Sequence, residues 1–312
     1  MRFIVPSLAL IAAPLVAQTP VEAPGPNGAL AGTLAGEGAG RPVVLIVPGS
    51  GPTDRDGNNP MGVTAAPYRL LAEALAAAGI ATVRIDKRGM FGSKAAVADA
   101  NAVTIADYAA DVHAWAKAIR ARTGATCVWV LGHSEGGLVA LAAAQTPADL
   151  CGLILLSTPG RPLGAVVRDQ FRANLANAPL LPQVEGVLAA YEAGKPVDRT
   201  ALHPALAGIF PPQLDGYWRS ILGYDPAKLA ATYPGPMLIE QGDRDIQVSV
   251  ADAKLLAAAQ PRARLAIVAS ANHVLKHVAS DDRQANLATY GDASLPLADG
   301  VVAPIVAIVK AR

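Results

Sequence analysis

Charged and aromatic residues are scarce in this chain of 312 residues. Asp, Glu, Lys and Arg make up 16% of it, the formal net charge is +1, and the basic residues are scattered. A nucleic-acid-binding protein needs a basic patch to neutralise phosphates, so we expect no nucleic-acid partner. Aromatic residues make up 4%, which leaves few side chains for stacking on bases or sugars. Because 52% of the residues are hydrophobic, the chain is expected to bury a large core.

Long apolar runs are also missing, except at the N-terminus. Arg2 precedes the apolar residues 3–16, a stretch that is too short to span a bilayer but has the length of a signal peptide. We expect export to the periplasm or the medium, with cleavage after Ala17 or after Ala23, although Pro24 disfavours the second site. An uncleaved anchor and a buried first helix are the alternatives. No later segment holds eighteen unbroken apolar residues, so we predict no stable membrane insertion after cleavage.

The two cysteines are placed where a disulfide could form. Cys127 opens the apolar run 127–131, and Cys151 directly precedes the apolar run 152–156. If these runs are neighbouring parallel strands, both cysteines lie at the same end of the sheet, where strands about 4.8 Å apart allow a bridge. An oxidising compartment would favour that bond. We predict a disulfide between Cys127 and Cys151, with two buried free thiols as the alternative.

Short apolar runs alternate with helical patterns along most of the chain. Continuous apolar runs are typical of parallel strands buried on both faces, so the pattern predicts an α/β protein with a mostly parallel central sheet flanked by helices. The clearest helix covers residues 104–120, with Thr104 as its N-cap. The predicted strands are residues 29–34, 43–47, 80–85, 127–131, 152–156, 236–240 and 264–268. The other predicted core helices are residues 67–78, 137–144, 250–259 and 301–310.

This alternation stops between residues 160 and 233. The segment carries helical patterns over residues 163–176, 181–193 and 202–209, separated by prolines and without a buried-strand pattern. Inserted helices of this kind are typical of a cap above an active site. We therefore divide the chain into a signal peptide (1–23), a first core part (24–159), a helical cap (160–233) and a second core part (234–312).

Residues 132–136 read Gly-His-Ser-Glu-Gly and fit the pattern Gly-x-Ser-x-Gly. A predicted strand precedes them and a helix-forming run follows, which is the setting in which such a serine becomes an exposed nucleophile. The glycines on either side allow the strand and the helix to approach closely. We predict that Ser134 is a nucleophile; a glycine-rich turn with an incidental serine is the alternative.

Two later loops supply an acid and a base in the order that this kind of sheet requires. After the strand over 236–240, Asp245 is preferred to Asp243 as the acid, and after the strand over 264–268, His273 is preferred to His277 as the base. A serine hydroxyl needs such a base to remove its proton, and the base needs a group that orients it. The sequence thus predicts a catalytic triad of Ser134, Asp245 and His273.

Acyl transfer also needs hydrogen-bond donors for the oxyanion. One predicted donor is the backbone N–H of Glu135, the residue after the nucleophile. The other is the backbone N–H of Ser50, in the glycine-rich loop 48–58, where flanking glycines let the chain turn toward a substrate. The charged residues 54–56 of that loop are expected to tie it down rather than to contact substrate.

Taken together, these residues resemble the α/β-hydrolase superfamily, in particular bacterial serine esterases of the lysophospholipase or serine-aminopeptidase-like (S33-type) group. The resemblance covers about residues 29–311. The loop 48–58 is similar to the oxyanion loop of one esterase subgroup, and residues 86–93 are similar to an Arg-Gly-x-Gly-x-Ser turn, with Phe91 one residue out of register. It implies the α/β-hydrolase fold with a helical cap, and the same triad.

The expected activity is hydrolysis of a small-molecule carboxylic ester through an acyl-enzyme, without a cofactor or a metal. An aminopeptidase, a thioesterase, a lactonase and an acyltransferase are alternatives, because the same triad serves all of them. A non-catalytic binding protein on this scaffold is a further alternative. An aminopeptidase would need carboxylates in the cap to hold a substrate amine, and the candidates there are Glu185, Glu192, Asp198 and Asp215.

Overall fold

A computed structural model describes residues 17–36 and 40–311 of the chain. Within them, eight strands form one sheet in the order β1-β2-β4-β3-β5-β6-β7-β8. Strand β2 is antiparallel to both of its neighbours, and β3 to β8 are parallel to one another. The strands are β1 Gln18–Pro24, β2 Ala29–Ala35, β3 Val43–Val47, β4 Ala81–Ile85, β5 Val128–His133, β6 Leu150–Leu156, β7 Met237–Gly242 and β8 Arg264–Val268.

Helices cover both faces of this sheet. One face packs against α1 and α11, and the other packs against α2, α3 and α9. Every residue of β3 to β7 is buried, which explains why these strands appear in the sequence as continuous apolar runs. The helices are α1 Pro67–Ala77, α2 Ile105–Thr123, α3 Glu135–Ala143, α4 Leu163–Arg172, α5 Leu181–Glu192, α6 Pro204–Ile209, α7 Asp215–Leu222, α8 Pro226–Thr232, α9 Val250–Ala259, α10 Arg283–Ala288 and α11 Val302–Lys310.

Local sequence determines where helix α2 begins and ends. Thr104 accepts a hydrogen bond from the backbone N–H of Asp107, whose side chain in turn accepts from the backbone N–H of Thr104. Such a cap stabilises a helix by about 1 kcal/mol. At the other end, Gly124 adopts a left-handed conformation with φ 72°, which favours glycine and ends the helix.

The predicted helical insertion is present between β6 and β7. It contains α4 to α8 and has an aromatic centre in which Phe210 and Trp218 lie with ring centroids 4.8 Å apart. The sequence did not predict α7 or α8, because both are short and α7 follows Pro211 and Pro212, the second of which begins a 3-10 turn over Pro212–Leu214. The predicted helix over 163–176 ends earlier, at Arg172, and a separate 3-10 segment follows over Leu175–Leu180.

The predicted disulfide is confirmed. Cys127 and Cys151 are bonded, with their Cα atoms 5.1 Å apart. The bond joins the amino ends of β5 and β6, at the edge of the sheet opposite to Ser134. It therefore connects β5, the strand that leads into the turn over residues 132–136 (the elbow), to its neighbour, at the end of the strands far from Ser134.

The N-terminus differs in part from the sequence analysis. The approximate boundary at residue 23 includes residues 18–23 in the signal peptide, whereas Gln18–Pro24 forms β1 and pairs along its whole length with β2. Of the two expected cleavage positions, the one after Ala17 lies outside this strand. Its inward-facing positions hold only Thr19, Val21 and Ala23, and Pro20 lies within it, so its sequence carries little of a strand pattern. Residues 1–16, the remainder of the predicted signal, lie outside the described part of the chain.

Candidate active site

Ser134 occupies a tight turn between β5 and α3. Its backbone has φ 55° and ψ −120°, a conformation that costs about 1–3 kcal/mol and persists only where the surroundings enforce it. A Cβ on Gly132 would lie 2.1 Å from the carbonyl oxygen of Gly136, and a Cβ on Gly136 would lie 2.3 Å from the carbonyl oxygen of Val47. Both positions therefore require glycine, as the sequence analysis expected, and the turn presents Ser134 at the carboxyl edge of the sheet.

Asp245 and His273 meet in the loops after β7 and β8. The Nδ1 atom of His273 lies 2.7 Å from Oδ2 of Asp245. The other carboxylate oxygen of Asp245 accepts the backbone N–H groups of Gln247 and Val248 at 2.8 and 2.9 Å. Burial alone would raise the pKa of Asp245, but the charge and hydrogen bond of His273, together with these N–H groups, outweigh burial and lower that pKa. The carboxylate is thus held in its charged form.

The alternative acid and base lie elsewhere. Asp243 accepts the backbone N–H of Ser270 at 2.7 Å, and the intervening Arg244 forms its ion pair with Asp281. The side chain of His277 is exposed. The geometry therefore brings together Asp245 and His273, the two residues that the sequence analysis preferred.

His133 is buried beside the elbow and has both ring nitrogens engaged. Its Nε2 lies 2.9 Å from the carbonyl oxygen of His273, so it must donate there, and its Nδ1 then accepts the hydroxyl of Tyr68 at 2.8 Å. That hydroxyl accepts the backbone N–H of Gly49 at 3.1 Å. Burial, with the neighbouring His273, lowers the pKa of His133 to about 3. A neutral histidine thus connects the loop of His273 to the loop after β3.

Ser134 and His273 line the same pocket, which has a volume of about 240 Å³. A Cβ on Gly49 would lie 3.4 Å from Cβ of Ser134, so the loop that carries Ser50 lies against the elbow. Among the described lining residues there is no Asp, Glu, Lys or Arg, and none belongs to the cap. The lining consists of Gly49, Ser50, Thr53, Gly57, Asn59, Met61, Val63, Pro67, Tyr68, His133, Ser134, Gln247, His273, Val274 and Tyr290.

The charged part of the loop after β3 points away from this pocket, as expected. Arg55 donates from its backbone N–H and its Nε to the carboxylate of Asp86, at 2.9 and 3.0 Å. Asp56 pairs with Arg84, and Asp54 accepts two backbone N–H groups of its own loop. These contacts fix the loop on β4 and leave its glycine-rich beginning at the pocket.

The side chain of Glu135 has a role that the sequence analysis missed. It is 3% exposed, its Oε1 lies 3.4 Å from Nζ of Lys87, and its Oε2 accepts the hydroxyl of Tyr217 from α7 in the cap. Burial raises the pKa of Tyr217, and the adjacent Glu135 carboxylate adds to that effect. No spacing in the sequence signals this cluster, because its three members come from separate elements and only the fold brings them together.

The four cap carboxylates that were candidates for holding a substrate amine are engaged with other cap residues. Glu185 and Glu192 both bind Arg168, at 2.6 and 2.7 Å. Asp215 pairs with Arg199, and Asp198 accepts the hydroxyl of Thr200. None of the four is among the residues that line the pocket at Ser134.

The described residues contain no group of three or more His, Cys, Asp or Glu side chains arranged to hold a metal ion. Within the same residues, no helix combines the length and the apolarity needed to cross a bilayer.

Known proteins with the same fold resemble this chain in sequence and in structure. Residues 61–181 match the family described as "Serine aminopeptidase, S33". The solved structure of the α/β-hydrolase GrgF from Penicillium sp. sh18 superposes with a TM-score of 0.57 at 18% identity, over 82% of this chain and 91% of that one. The chain has the α/β-hydrolase fold. The predicted fold class, including the resemblance to this superfamily, is therefore confirmed.

Two other similar proteins are esterases. The esterase Pf2001 of Pyrococcus furiosus superposes on this chain with a TM-score of 0.57 at 16% identity, over 86% of this chain and 88% of that one. The esterase EstD of Thermotoga maritima is 31% identical over 219 residues, which are 69% of this chain and 49% of EstD. This chain thus spans about half of the length of that relative.

Proposed function

We propose that this α/β-hydrolase is a serine esterase that cleaves compact, uncharged carboxylic esters through an acyl-enzyme on Ser134. The observation that carries the proposal is that Ser134, on its strained turn, shares a pocket with His273, whose Nδ1 is hydrogen-bonded to a buried Asp245. A nucleophile, a base and an orienting acid in this relation are the parts that acyl transfer requires.

The chemistry follows from the tautomer that Asp245 imposes. Nδ1 of His273 donates to the carboxylate, so Nε2 is left to accept the proton of the Ser134 hydroxyl as that oxygen attacks the ester carbonyl. The backbone N–H groups of Ser50 and Glu135 stabilise the oxyanion, the second of them at the N-terminus of α3. His273 then protonates the leaving alcohol and removes a proton from the water that hydrolyses the acyl-enzyme.

The charges around the site support an ester rather than a peptide with a free amino group. Recognition of a substrate ammonium would need an unpaired carboxylate in the pocket, since burying an unpaired charge costs several kcal/mol. The described lining carries none. Of the four candidate carboxylates of the cap, three are bound to Arg168 or Arg199, and the fourth, Asp198, lies on the surface. The pocket is also smaller than the roughly 300–1,000 Å³ of ordinary ligand sites, which favours a compact group.

Labelling with a fluorophosphonate tests the nucleophile. We expect wild-type protein to be labelled once per chain, and Ser134→Ala to lose both the label and ester turnover. Ser280→Ala, which removes an exposed hydroxyl far along the chain, is the matched control and should be labelled like the wild type. Labelling that persists in Ser134→Ala would remove Ser134 from this role.

A substrate panel tests the reaction class. We expect turnover of p-nitrophenyl acetate and butyrate, declining for longer acyl chains, and no turnover of aminoacyl anilides. Preferential cleavage of anilides would replace the esterase by an aminopeptidase. Thioester and lactone substrates, and added alcohol acceptors, test the thioesterase, lactonase and acyltransferase alternatives in the same assay.

Export is part of the proposal, with cleavage after Ala17. Cleavage there leaves β1 intact, whereas cleavage after Ala23 would remove six of its seven residues. The disulfide is a bond that oxidising compartments favour. Sequencing the N-terminus of the protein from a periplasmic fraction should give Gln18 as the first residue. An intact Met1 in a cytosolic fraction would contradict export.

A further inference from the structure

The peptide bond between Gly49 and Ser50 is held from one side by a buried cation. Nζ of Lys87 donates to the carbonyl oxygen of Gly49 at 2.7 Å. A trans peptide is planar, and its C=O and N–H point in opposite directions. Whatever fixes the direction of the Gly49 carbonyl therefore also fixes the direction of the Ser50 N–H, the donor that we assign to the oxyanion.

Lys87 contacts the second donor residue as well. Its ammonium lies 3.4 Å from the carboxylate of Glu135 and 5.2 Å from the ring centroid of Tyr108, and its side chain is 3% exposed. Burying an ammonium costs several kcal/mol unless such partners compensate. The other oxygen of Glu135 is occupied by Tyr217, so this carboxylate is itself held in place from the cap. One cation thus bridges the two segments that carry the proposed oxyanion donors.

We propose that Lys87 is a positioning residue of the oxyanion hole. By holding the Gly49 carbonyl it aims the Ser50 N–H at the pocket, and its charge polarises that peptide and makes its N–H a stronger donor. Glu135 orients the Lys87 ammonium between the two segments. This inference rests on the serine-esterase function proposed above and adds to it a residue outside the triad that affects the transition state more than substrate binding.

The neighbouring Arg88 provides an internal comparison. It is also a buried cation in the turn after β4, but it pairs with Asp111 and Asp107 of α2, at 2.6 and 3.1 Å, and not with the loop of Ser50. Its contacts serve the packing of the turn against a helix. Two adjacent cations of similar burial thus differ in whether they reach the oxyanion loop.

Steady-state kinetics on Lys87→Met and Arg88→Met exploit this difference. In Lys87→Met we expect kcat to fall about 100-fold with KM within about threefold, because loss of oxyanion stabilisation affects the transition state. Affinity for a trifluoromethyl ketone, which forms an oxyanion on the serine, should fall by a similar factor. Arg88→Met should lower the melting temperature but leave kcat and the ketone affinity close to wild type.

A double variant separates positioning from charge neutralisation. Lys87→Met/Glu135→Gln removes both charges, so no carboxylate is left buried without its partner. If Lys87 serves only to neutralise Glu135, the double variant recovers wild-type kcat, and the inference is overturned. If it positions the Gly49 carbonyl, kcat stays low. Should Lys87→Met be insoluble, Lys87→Gln, which keeps a donor for the carbonyl, is compared with the double variant and should be the faster of the two.

Fluorophosphonate labelling distinguishes this inference from the function on which it rests. A wild-type protein that is not labelled contradicts the serine-esterase proposal. A wild-type protein that is labelled and turns over esters, together with undiminished kcat in Lys87→Met, contradicts only the role of Lys87.

Discussion

The central sheet differs between the carboxyl ends of its parallel strands (the carboxyl edge) and their amino ends (the amino edge). Among the described residues, seven non-glycine residues have a positive φ. Six of them follow the carboxyl end of a strand, and one, Asp149, precedes the amino end of β6. The six are Ala66, Phe91, Ser134, Ser157, Ser270 and Leu275. Conformations of this kind cost of order 1–3 kcal/mol each, so the carboxyl edge carries most of the backbone strain in this part of the chain.

The amino edge carries the disulfide, whereas the ties at the carboxyl edge are ion pairs and hydrogen bonds. The disulfide joins β5 to β6 there, and Arg120 of α2 pairs with Asp149 next to it. Strain survives only where the surrounding structure over-determines it. One end of the same strands therefore carries the candidate active site and most of the backbone strain, and the other end carries the covalent bond. Changes at the two edges should therefore affect different measurements.

The largest expected effect is at the carboxyl edge, in Asp245→Asn. An amide at this position cannot hold His273 in the tautomer that leaves Nε2 free as a base, and in serine proteases this change lowers kcat about 10⁴-fold. We expect a loss of that order in ester turnover, with a folded protein by circular dichroism. Asp243→Asn is the matched control, because Asp243 binds only the backbone of Ser270 at this site. Equal losses in both variants would mean that Asp245 has no special role.

At the amino edge, removing the disulfide should lower the stability of the protein and leave its catalysis unchanged. Cys127 and Cys151 are 24 residues apart, and closing a loop of that length stabilises the native state by about 3 kcal/mol in the chain-entropy description. Cys127→Ser/Cys151→Ser should lose about that much free energy of unfolding in urea. At a temperature where it stays folded, its kcat/KM should equal that of the wild type. A loss of kcat/KM in the folded variant would contradict the separation of the two edges.

The placement of the candidate triad and of the disulfide at opposite ends of the strands could be predicted from the sequence, because local patterns indicate both. The elbow is a five-residue pattern between a strand and a helix, and Asp245 and His273 each follow a buried strand. Predicting the disulfide required only that two apolar runs form neighbouring strands of the sheet. In each case the direction of parallel strands placed the residues at one edge or the other.

The rest depended on contacts that no local pattern encodes. Lys87 is 48 positions from Glu135, and Tyr217 is 82 positions from it, so their cluster exists only through the strand order and the position of the cap. The pocket lining comes from residues of the core rather than of the cap, and no pattern in the sequence shows which of the two supplies it. The sequence does not predict strand β1, because its inward-facing residues are small or weakly apolar and Pro20 lies within it.

The smallest expected effect concerns His133, the buried histidine at the carboxyl edge, which should reduce the free energy of unfolding at acid pH. The pKa of His133 is lowered to about 3, whereas an unfolded histidine has about 6.5. Between these values the unfolded state binds a proton that the folded state does not, so stability falls as the pH falls through this window. At about 1.4 kcal/mol per pH unit, this group removes about 2 kcal/mol between pH 6.5 and 5.

Urea unfolding of His133→Gln at both pH values tests this cost. Glutamine can still bond Tyr68 and the His273 carbonyl but has no proton to gain, so the variant should lose about 2 kcal/mol less than the wild type over the same interval. The exposed His277, replaced in His277→Gln, is the matched control and should follow the wild type. If His133→Gln loses as much free energy of unfolding between pH 6.5 and 5 as the wild type does, the acid sensitivity comes from other groups. The buried neutral histidine then adds no cost at the carboxyl edge.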